Sequence, residues 1–325
     1  MKVLVTGANG FLGTNTIYEL LNQGYSVKGL VRKKLNLNLI PHPNLEIVAG
    51  DITILSDIEK AIEDCFFVIH IAATTDPKLL KYKEYEFINV IGTRNILKSA
   101  ISNKVKKLIY VSTANVFGFG TLKNLGDETV TIKEPFDKSF YSISKLEGQN
   151  IILSNSKRIE VVVVNPSFML GPFDSKPTSG KIILMGLKNY VLFYPPGGKS
   201  FIHVNDVSKG IVCALEKGRN GEAYLLTNEN LSFKQFFEKL RTKIKRKPIL
   251  IKIPKFILLT IGFFGDVLRL LGIRTTISSS NLKTLCINTF YSNNKAKNEF
   301  QLNFKTTDEA IEDTLNWIKN TRKVI

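Results

Sequence analysis

Tyr141 and Lys145 stand four residues apart, a spacing that puts both side chains on one face of a helix. A phenol whose ordinary pKa is about 10 is a poor acid or base at neutral pH. An ammonium beside it stabilises the phenolate and draws that pKa toward a useful range. The chemistry such a pair could do is proton exchange with an oxygen. The spacing alone is common on surface helices, so its meaning depends on what surrounds it.

A second group opens the chain. Val3, Leu4 and Val5 form a short apolar run that leads into Gly7, with Gly10 and Gly13 following at intervals of three. The run reads as a buried parallel strand, residues 14–23 as a helix, and Gly24 as its stop. A tight turn calls for glycine at Gly7, and close approach of a pyrophosphate calls for a missing side chain at Gly10. Gly13 lets the helix pack on the strand, and the helix N-terminus offers free N–H groups to phosphates. Further apolar runs at 27–31, 45–48, 66–71, 107–112 and 160–165 alternate with helical patterns near 56–63, 84–103 and 140–155. That alternation predicts an α/β fold, a doubly wound parallel sheet. A dinucleotide-binding Rossmann domain over 1–165 is expected, with a smaller C-terminal substrate domain over 166–325 partly interleaved with it.

The loop Thr6-Gly7-Ala8-Asn9-Gly10-Phe11-Leu12-Gly13 has the form T-G-x-x-G-x-x-G. It resembles the fingerprint of the extended short-chain dehydrogenase/reductase family, the NAD-dependent epimerase/dehydratase type. Ser112-Thr113-Ala114-Asn115-Val116-Phe117-Gly118 is similar to the family's S-[ST]-x-x-V-[YF]-G strand end, in the family's order before the Tyr/Lys pair. The resemblance implies that Thr113, with Ser112 as a fallback, orients a substrate carbonyl and stabilises its developing charge. It implies that Tyr141 exchanges the proton and that Lys145 also holds the nicotinamide ribose, while hydride passes between the nicotinamide and a substrate carbon. Cofactor contacts are expected from Gly7, Asn9, Gly10, Phe11, Leu12 and Gly13. Asp51 and Ile52 match the family's adenine-contacting pair, although Asp51 also reads as the N-cap of a helical turn. Ala72 and Ala73 end an H-x-A-A element that lets the backbone approach the cofactor. Pro166 and Ser167 are expected to face the nicotinamide. Asn89 lies in an N-V-x-G-T-x-N segment whose asparagine supports the active-site region.

The strand at 27–31 runs into Arg32-Lys33-Lys34, and no Asp or Glu stands between Glu19 and Glu46. An NAD site usually places a carboxylate here for the ribose 2′-hydroxyl; Arg32 suits a 2′-phosphate, so NADP is the expected cofactor, with NAD as the alternative. Asn165-Pro166-Ser167 followed by Gly171-Pro172 is similar to the dihydroflavonol-reductase and 3β-hydroxysteroid-dehydrogenase-like branch. The expected activity is therefore reduction of a ketone, or oxidation of a secondary alcohol, on a hydrophobic small molecule. The rivals are a nucleotide-sugar epimerase or dehydratase with retained NAD, and a non-catalytic NADP-binding regulator.

The 325 residues, 44% hydrophobic, can bury one large core or two coupled ones. Cys65, Cys213 and Cys286 lie far apart with no metal spacing, which suggests free thiols, a reducing cytoplasmic setting and no metal. The first residues enter the glycine strand directly, so no signal peptide is expected. The net charge of +17 suits anionic partners or reflects scattered lysines. Without a zinc-finger or RNA-binding signature, nucleic acid is not an expected partner. A homodimer is left open.

In the second half, residues 224–226 read as a strand, Asp206 as N-cap of a helix at 207–216, and Ser232 as the cap of 233–240. His70 and His203 are read as packing residues. Five of the seven residues at 241–247 are basic, and 256–273 is apolar apart from Asp266 and Arg269. Three readings stand for this stretch: a lid over an apolar substrate, a core helix, or an interfacial segment touching an anionic membrane.

Overall fold

The structure, a computed structural model, describes residues 1–33, 39 and 41–322; Lys34 of the basic turn lies outside them. Val3, Leu4 and Val5 have no exposed surface, which is what a strand covered on both faces demands. They form β1 (Lys2–Thr6), followed by α1 (Phe11–Asn22), β2 (Ser26–Val31), β3 (Leu45–Ala49), α2 (Leu55–Ile62) and β4 (Phe67–His70). The long helical pattern after β4 is one helix with a π-helical turn in its middle: α3 (Tyr82–Tyr85), the π segment Glu86–Ile91, then α4 (Gly92–Ser102). Then come β5 (Lys107–Val111), α5 (Phe140–Leu153) and β6 (Glu160–Pro166).

Beyond Pro166 the chain alternates between two bodies. β7 (Phe168–Leu170), α6 (Lys181–Lys188), β8 (Val191–Tyr194) and β9 (Gly198–His203) build the smaller one. α7 (Val204–Lys217) and β10 (Glu222–Leu226) return to the larger. β11 (Glu229–Ser232), α8 (Phe233–Lys243), β12 (Ile249–Lys252), α9 (Lys255–Leu270), α10 (Ser279–Leu285) and β13 (Asn288–Thr289) go back to the smaller, and α11 (Asn294–Phe300) and α12 (Thr307–Arg322) close the chain.

The large sheet has seven strands in the order β10-β6-β5-β4-β1-β2-β3, all parallel. α1 and α7 cover one face through Ile17, Leu20, Val207 and Ile211. α2, α4 and α5 cover the other through Ile58, Ile62, Ile96, Leu97 and Ile152. From the second half, α7 and β10 complete the layer of the large sheet. The smaller body is a mixed sheet, β11-β9-β13 with β7 beside β9, covered by α6, α8 and α12. Its centre is Phe201, stacked on Phe236 with ring centroids 4.6 Å apart.

Local expectations needed two adjustments. α1 starts at Phe11, not residue 14, so Phe11, Leu12 and Gly13 form its first turn. α7 starts at Val204 with His203 as its cap: the ring Nδ1 accepts the Asn205 N–H at 3.0 Å. Asp206 sits inside that first turn, where its carboxylate instead accepts the Lys305 N–H at 2.7 Å. Ser232 caps α8 as expected, in a reciprocal box with Gln235.

Candidate active site

Strand order reverses between β1 and β4, and in such sheets ligands bind beyond the carboxyl ends of the strands at that point. Gly7 follows β1 with φ +70, a left-handed conformation that a side chain disfavours, and a Cβ there would come 3.0 Å from the Ala72 backbone after β4. A Cβ on Gly13 would come 2.1 Å from the Gly7 carbonyl oxygen, so α1 lies against the loop only because that position is bare. Gly10 caps α1 without any side-chain hydrogen bond, and no acid occupies the first turn. The loop therefore presents backbone donors and the positive end of a helix to the crevice, a fit for the phosphates of a dinucleotide.

A buried polar relay fixes the two sides of this crevice to each other. The Thr6 hydroxyl accepts the N–H groups of Ile71 and Ala72, both at 3.1 Å, so its proton is free for His70 Nδ1 at 2.7 Å. His70 then carries its proton on Nε2, facing the Thr93 hydroxyl at 3.2 Å, and Thr93 donates to the Asn89 carbonyl at 2.6 Å. This tautomer follows from the partners. Burial pulls the His70 pKa down to about 3, helped by the Lys145 charge, so the ring stays neutral. The Asn89 amide also takes the Thr74 N–H at 2.7 Å and donates to Ser144 Oγ at 3.0 Å. It thereby ties the π turn to both the loop after β4 and α5. A π turn within a longer helix often marks such a site.

Tyr141 and Lys145 lie on α5, capped by Ser139. Thr113 lies beside the Tyr141 phenol and holds its pKa down against burial, and this brings the loop after β5 and the first turn of α5 together. Asn165 on β6 positions that loop: its amide donates to the Thr113 carbonyl at 3.1 Å and to Gln149 Oε1 at 2.8 Å. Lys145 is 2% exposed. Its Nζ donates to the Val111 carbonyl at 2.8 Å and lies 4.2 Å from the centre of the Tyr110 ring. An ammonium has three donors, so donors remain for a cofactor hydroxyl.

The electrostatics differ from the sequence expectation. Burial pushes the Tyr141 phenol up to about 12, against the opposing pull of Thr113, and burial pulls the Lys145 ammonium down to about 7. Lys145 does not lower the phenol in this state, because desolvation dominates both groups and the amine is engaged below the phenol by a carbonyl and a ring face.

Tyr141 forms part of the wall of a cavity of about 300 Å³, together with Tyr85, Asn115, Phe136, Lys199, Asp266 and Arg269. Lys199 comes from β9 of the smaller body, Asp266 and Arg269 from α9. Lys199 has no ion pair among the described residues, and burial draws its pKa down to about 8. Sequence reading missed Asn165, Gln149 and Lys199 as individual site residues. Asn165 adjoins the expected Pro166 and Ser167, but its contacts reach 52 and 16 residues back along the chain.

Other expected residues fall as follows. Asp51 does not cap α2, whose N-cap is Ile54; instead it accepts the Thr53 N–H at 2.9 Å and hydroxyl at 2.8 Å, bracing the turn after β3. Ile52 is 8% exposed and packed in the core, where Gly92 leaves room for it. Arg32 is exposed at the end of β2. Ala72 and Ala73 are half-buried, with Ala72 against Gly7. Pro166 is buried, and the Ser167 N–H and hydroxyl bond Leu226 and Thr227 at 3.0 Å. His203 bonds Asp313 at 3.0 Å, a packing role.

A switch-point crevice with a glycine turn and a Tyr/Lys helix at its mouth defines a nicotinamide-dinucleotide enzyme of the extended short-chain dehydrogenase/reductase type. Residues 3–227 match the NAD dependent epimerase/dehydratase family, and the chain belongs to it. A Synechocystis sp. protein, provisionally named a dihydroflavonol 4-reductase, is 30% identical over 97% of this chain and 94% of its own. A Stigmatella aurantiaca protein, 4-hydroxy-2-methyl-3-oxo-4-farnesyl-3,4-dihydroquinoline-1-oxide ketoreductase, is 28% identical over 70% of this chain and 68% of its own. Among solved structures, gox2253 superposes with TM-score 0.84 at 28% identity over 98% of both chains. The Thermus thermophilus UDP-glucose 4-epimerase complex with NAD gives 0.78 at 17% identity over 98% of this chain and 99% of that one, a likeness of fold. Members of this family are NAD(P)-dependent dehydrogenases, reductases and epimerases, and this chain is an enzyme of that kind.

Proposed function

We infer that the chain is an NADP-dependent oxidoreductase that reduces a ketone, or oxidises the corresponding secondary alcohol, on a hydrophobic small molecule. The observation that carries this is Tyr141, set in the wall of the cavity with Thr113 beside its phenol and Lys145 one helical turn below. Bound NADPH supplies the hydride. Tyr141 supplies the proton to the substrate oxygen, a phenol kept protonated by its burial. Thr113, fixed by Asn165, points its hydroxyl at the same oxygen and stabilises charge as it develops. Lys145 holds a cofactor hydroxyl with its remaining donors. Lys199, which has no ion pair among the described residues, would hold an acidic or strongly polar group of the substrate.

NADP preference rests on Arg32 and on the absence of any acid between Glu19 and Glu46. The reductase reading also draws on the names of the Synechocystis and Stigmatella relatives, the second of which specifies a farnesyl-bearing substrate. Three measurements test it. The protein as purified should release no tightly held NAD on denaturation, and should bind NADPH more tightly than NADH on titration. With an accepted ketone, Tyr141→Phe should lower kcat by roughly 10²–10⁴-fold and leave NADPH affinity nearly unchanged. Retained NAD would favour a sugar epimerase, and near-normal turnover by the variant would remove Tyr141 as the acid.

A further inference from the structure

α9 has its polarity inverted. Its inner side is a narrow stripe of Leu258, Gly262 and Gly265, the glycines lying against the backbone of Ser279 and Ile277. Asp266 accepts the Ser279 N–H at 3.0 Å, and Arg269 donates to the carbonyls of Pro77, Leu79 and Thr275. The helix is thus seated by small and polar residues, two of which line the catalytic cavity. The outer side is apolar and bare: Phe256, Phe263, Phe264, Leu270 and Leu271 are 61 to 87% exposed, and Ile261, Val267, Leu268 and Ile273 are exposed too.

A second exposed apolar strip lies just before the helix in the chain. β12, two residues before it, pairs in parallel with β8, placing Ile249 opposite Val191 and Ile251 opposite Phe193. All four are exposed, while the alternate Leu192 is buried in the core of the smaller body. A two-stranded ribbon and a helix in sequence therefore each turn an apolar face outward, far more than scattered surface leucines produce.

Charge identifies the occupant. Residues 241–273 hold eight basic side chains and one acid, Asp266, which is taken up by Ser279. Lys245, Lys247, Lys252 and Lys255 are exposed with no ion pair among the described residues. We propose that the outer face of α9 and the β8–β12 ribbon is a docking surface for an anionic lipid bilayer, with α9 lying in the plane of the headgroups. A second copy of the chain is disfavoured, since a two-fold contact would bring the same lysines together with no acid to neutralise them. Crossing the bilayer is excluded by length, because α9 has 16 residues and a span needs about 20. No helix among the described residues is long and apolar enough to cross. An interfacial helix needs an apolar face with cations at its margin, which is what this segment offers. The catalytic reading is not needed for this proposal.

The test is flotation of the full chain with phosphatidylcholine vesicles, with and without phosphatidylserine, at low and high salt. Binding is expected to the anionic vesicles and to weaken in salt. The double variant Phe263→Ser, Phe264→Ser should lose binding by tenfold or more, and Lys252→Ser with Lys255→Ser should weaken it by roughly fivefold per lysine. All four positions are exposed, so unchanged melting of each variant shows that the fold is intact. No binding at low salt overturns the proposal, as does binding that the phenylalanine variant retains. A dimer in sedimentation that the same variant dissolves, without vesicle binding, makes the occupant a second copy and overturns it equally.

Discussion

Two glycine-lined seams cross this molecule, and they have opposite characters. At the first, α1 closes on the loop after β1 between fully buried strands. At the second, α9 closes on residues 277–279, with its back open to solvent. Both need bare positions: a Cβ would meet the Gly7 carbonyl oxygen at 2.1 Å from Gly13 and the Ile277 carbonyl oxygen at 2.5 Å from Gly265. The local intrusion is similar, yet the surroundings differ in how far they can yield. Tight contact fixes the fold only where both sides are anchored elsewhere.

Matched substitutions expose this difference most strongly. Gly13→Val should destabilise the protein by about 3 kcal/mol or more, because neither β1 nor α1 can retreat from a packed core. It should also abolish dinucleotide binding, as read by thermal melting with and without NADPH. Gly265→Val should cost clearly less stability, since α9 can lift toward solvent at the loss only of its own seating contacts. Lifting carries Asp266 and Arg269 away from the cavity, so its effect should appear in KM for the substrate. Equal losses of stability would show that the two seams are alike after all.

Legibility in the sequence divides along the same line. The first seam was readable because buried strands run continuously apolar and a phosphate-binding turn restricts residue type at fixed spacing. The Tyr/Lys pair was readable for the same reason, as one helix sets its geometry. Positions joined only through space were not: Asn165 meets Thr113 from another strand, and Lys199 enters the cavity from the other body. The stretch 256–273 gave three readings because apolar content does not tell an inward from an outward face. The core-helix reading fails because its largest residues point out, and the small ones, Gly262 and Gly265, point in. Asp206 misled for a different reason: an acid in the first turn of a helix and an acid at its cap look alike in sequence.

Asn165→Leu probes the rigid side at a finer scale. The leucine keeps the volume but leaves the Thr113 carbonyl and Gln149 without their donor. Buried groups stranded in this way cost roughly 1–3 kcal/mol each. If Asn165 positions the hydroxyl that orients the substrate, kcat should fall by roughly 10–100-fold while KM for NADPH holds. A loss of melting temperature with kcat intact would make Asn165 a packing residue only.

The rigid side also sets a pH dependence of stability. Lys145 has a folded pKa of about 7 against 10.5 for a free side chain, because burial disfavours its charge. Below about pH 7 both folded and unfolded chains carry the proton, and the folded state bears the full desolvation cost. Between about 7 and 10.5 the unfolded chain holds more protons, so stability must rise with pH, by at most ~1.4 kcal/mol per unit for this one group. Lys199 adds the same sign over the window from about 8 upward. Tyr141, with its pKa raised from 10.0 to about 12, reverses the trend above pH 10, where the unfolded phenol ionises first. Urea midpoints of the cofactor-free protein should therefore climb from pH 7 to about 10, and the climb should be shallower in Lys145→Met. A difference between the two proteins that does not change with pH would mean that the Lys145 amine is far better solvated than its contacts with Val111 and Tyr110 imply.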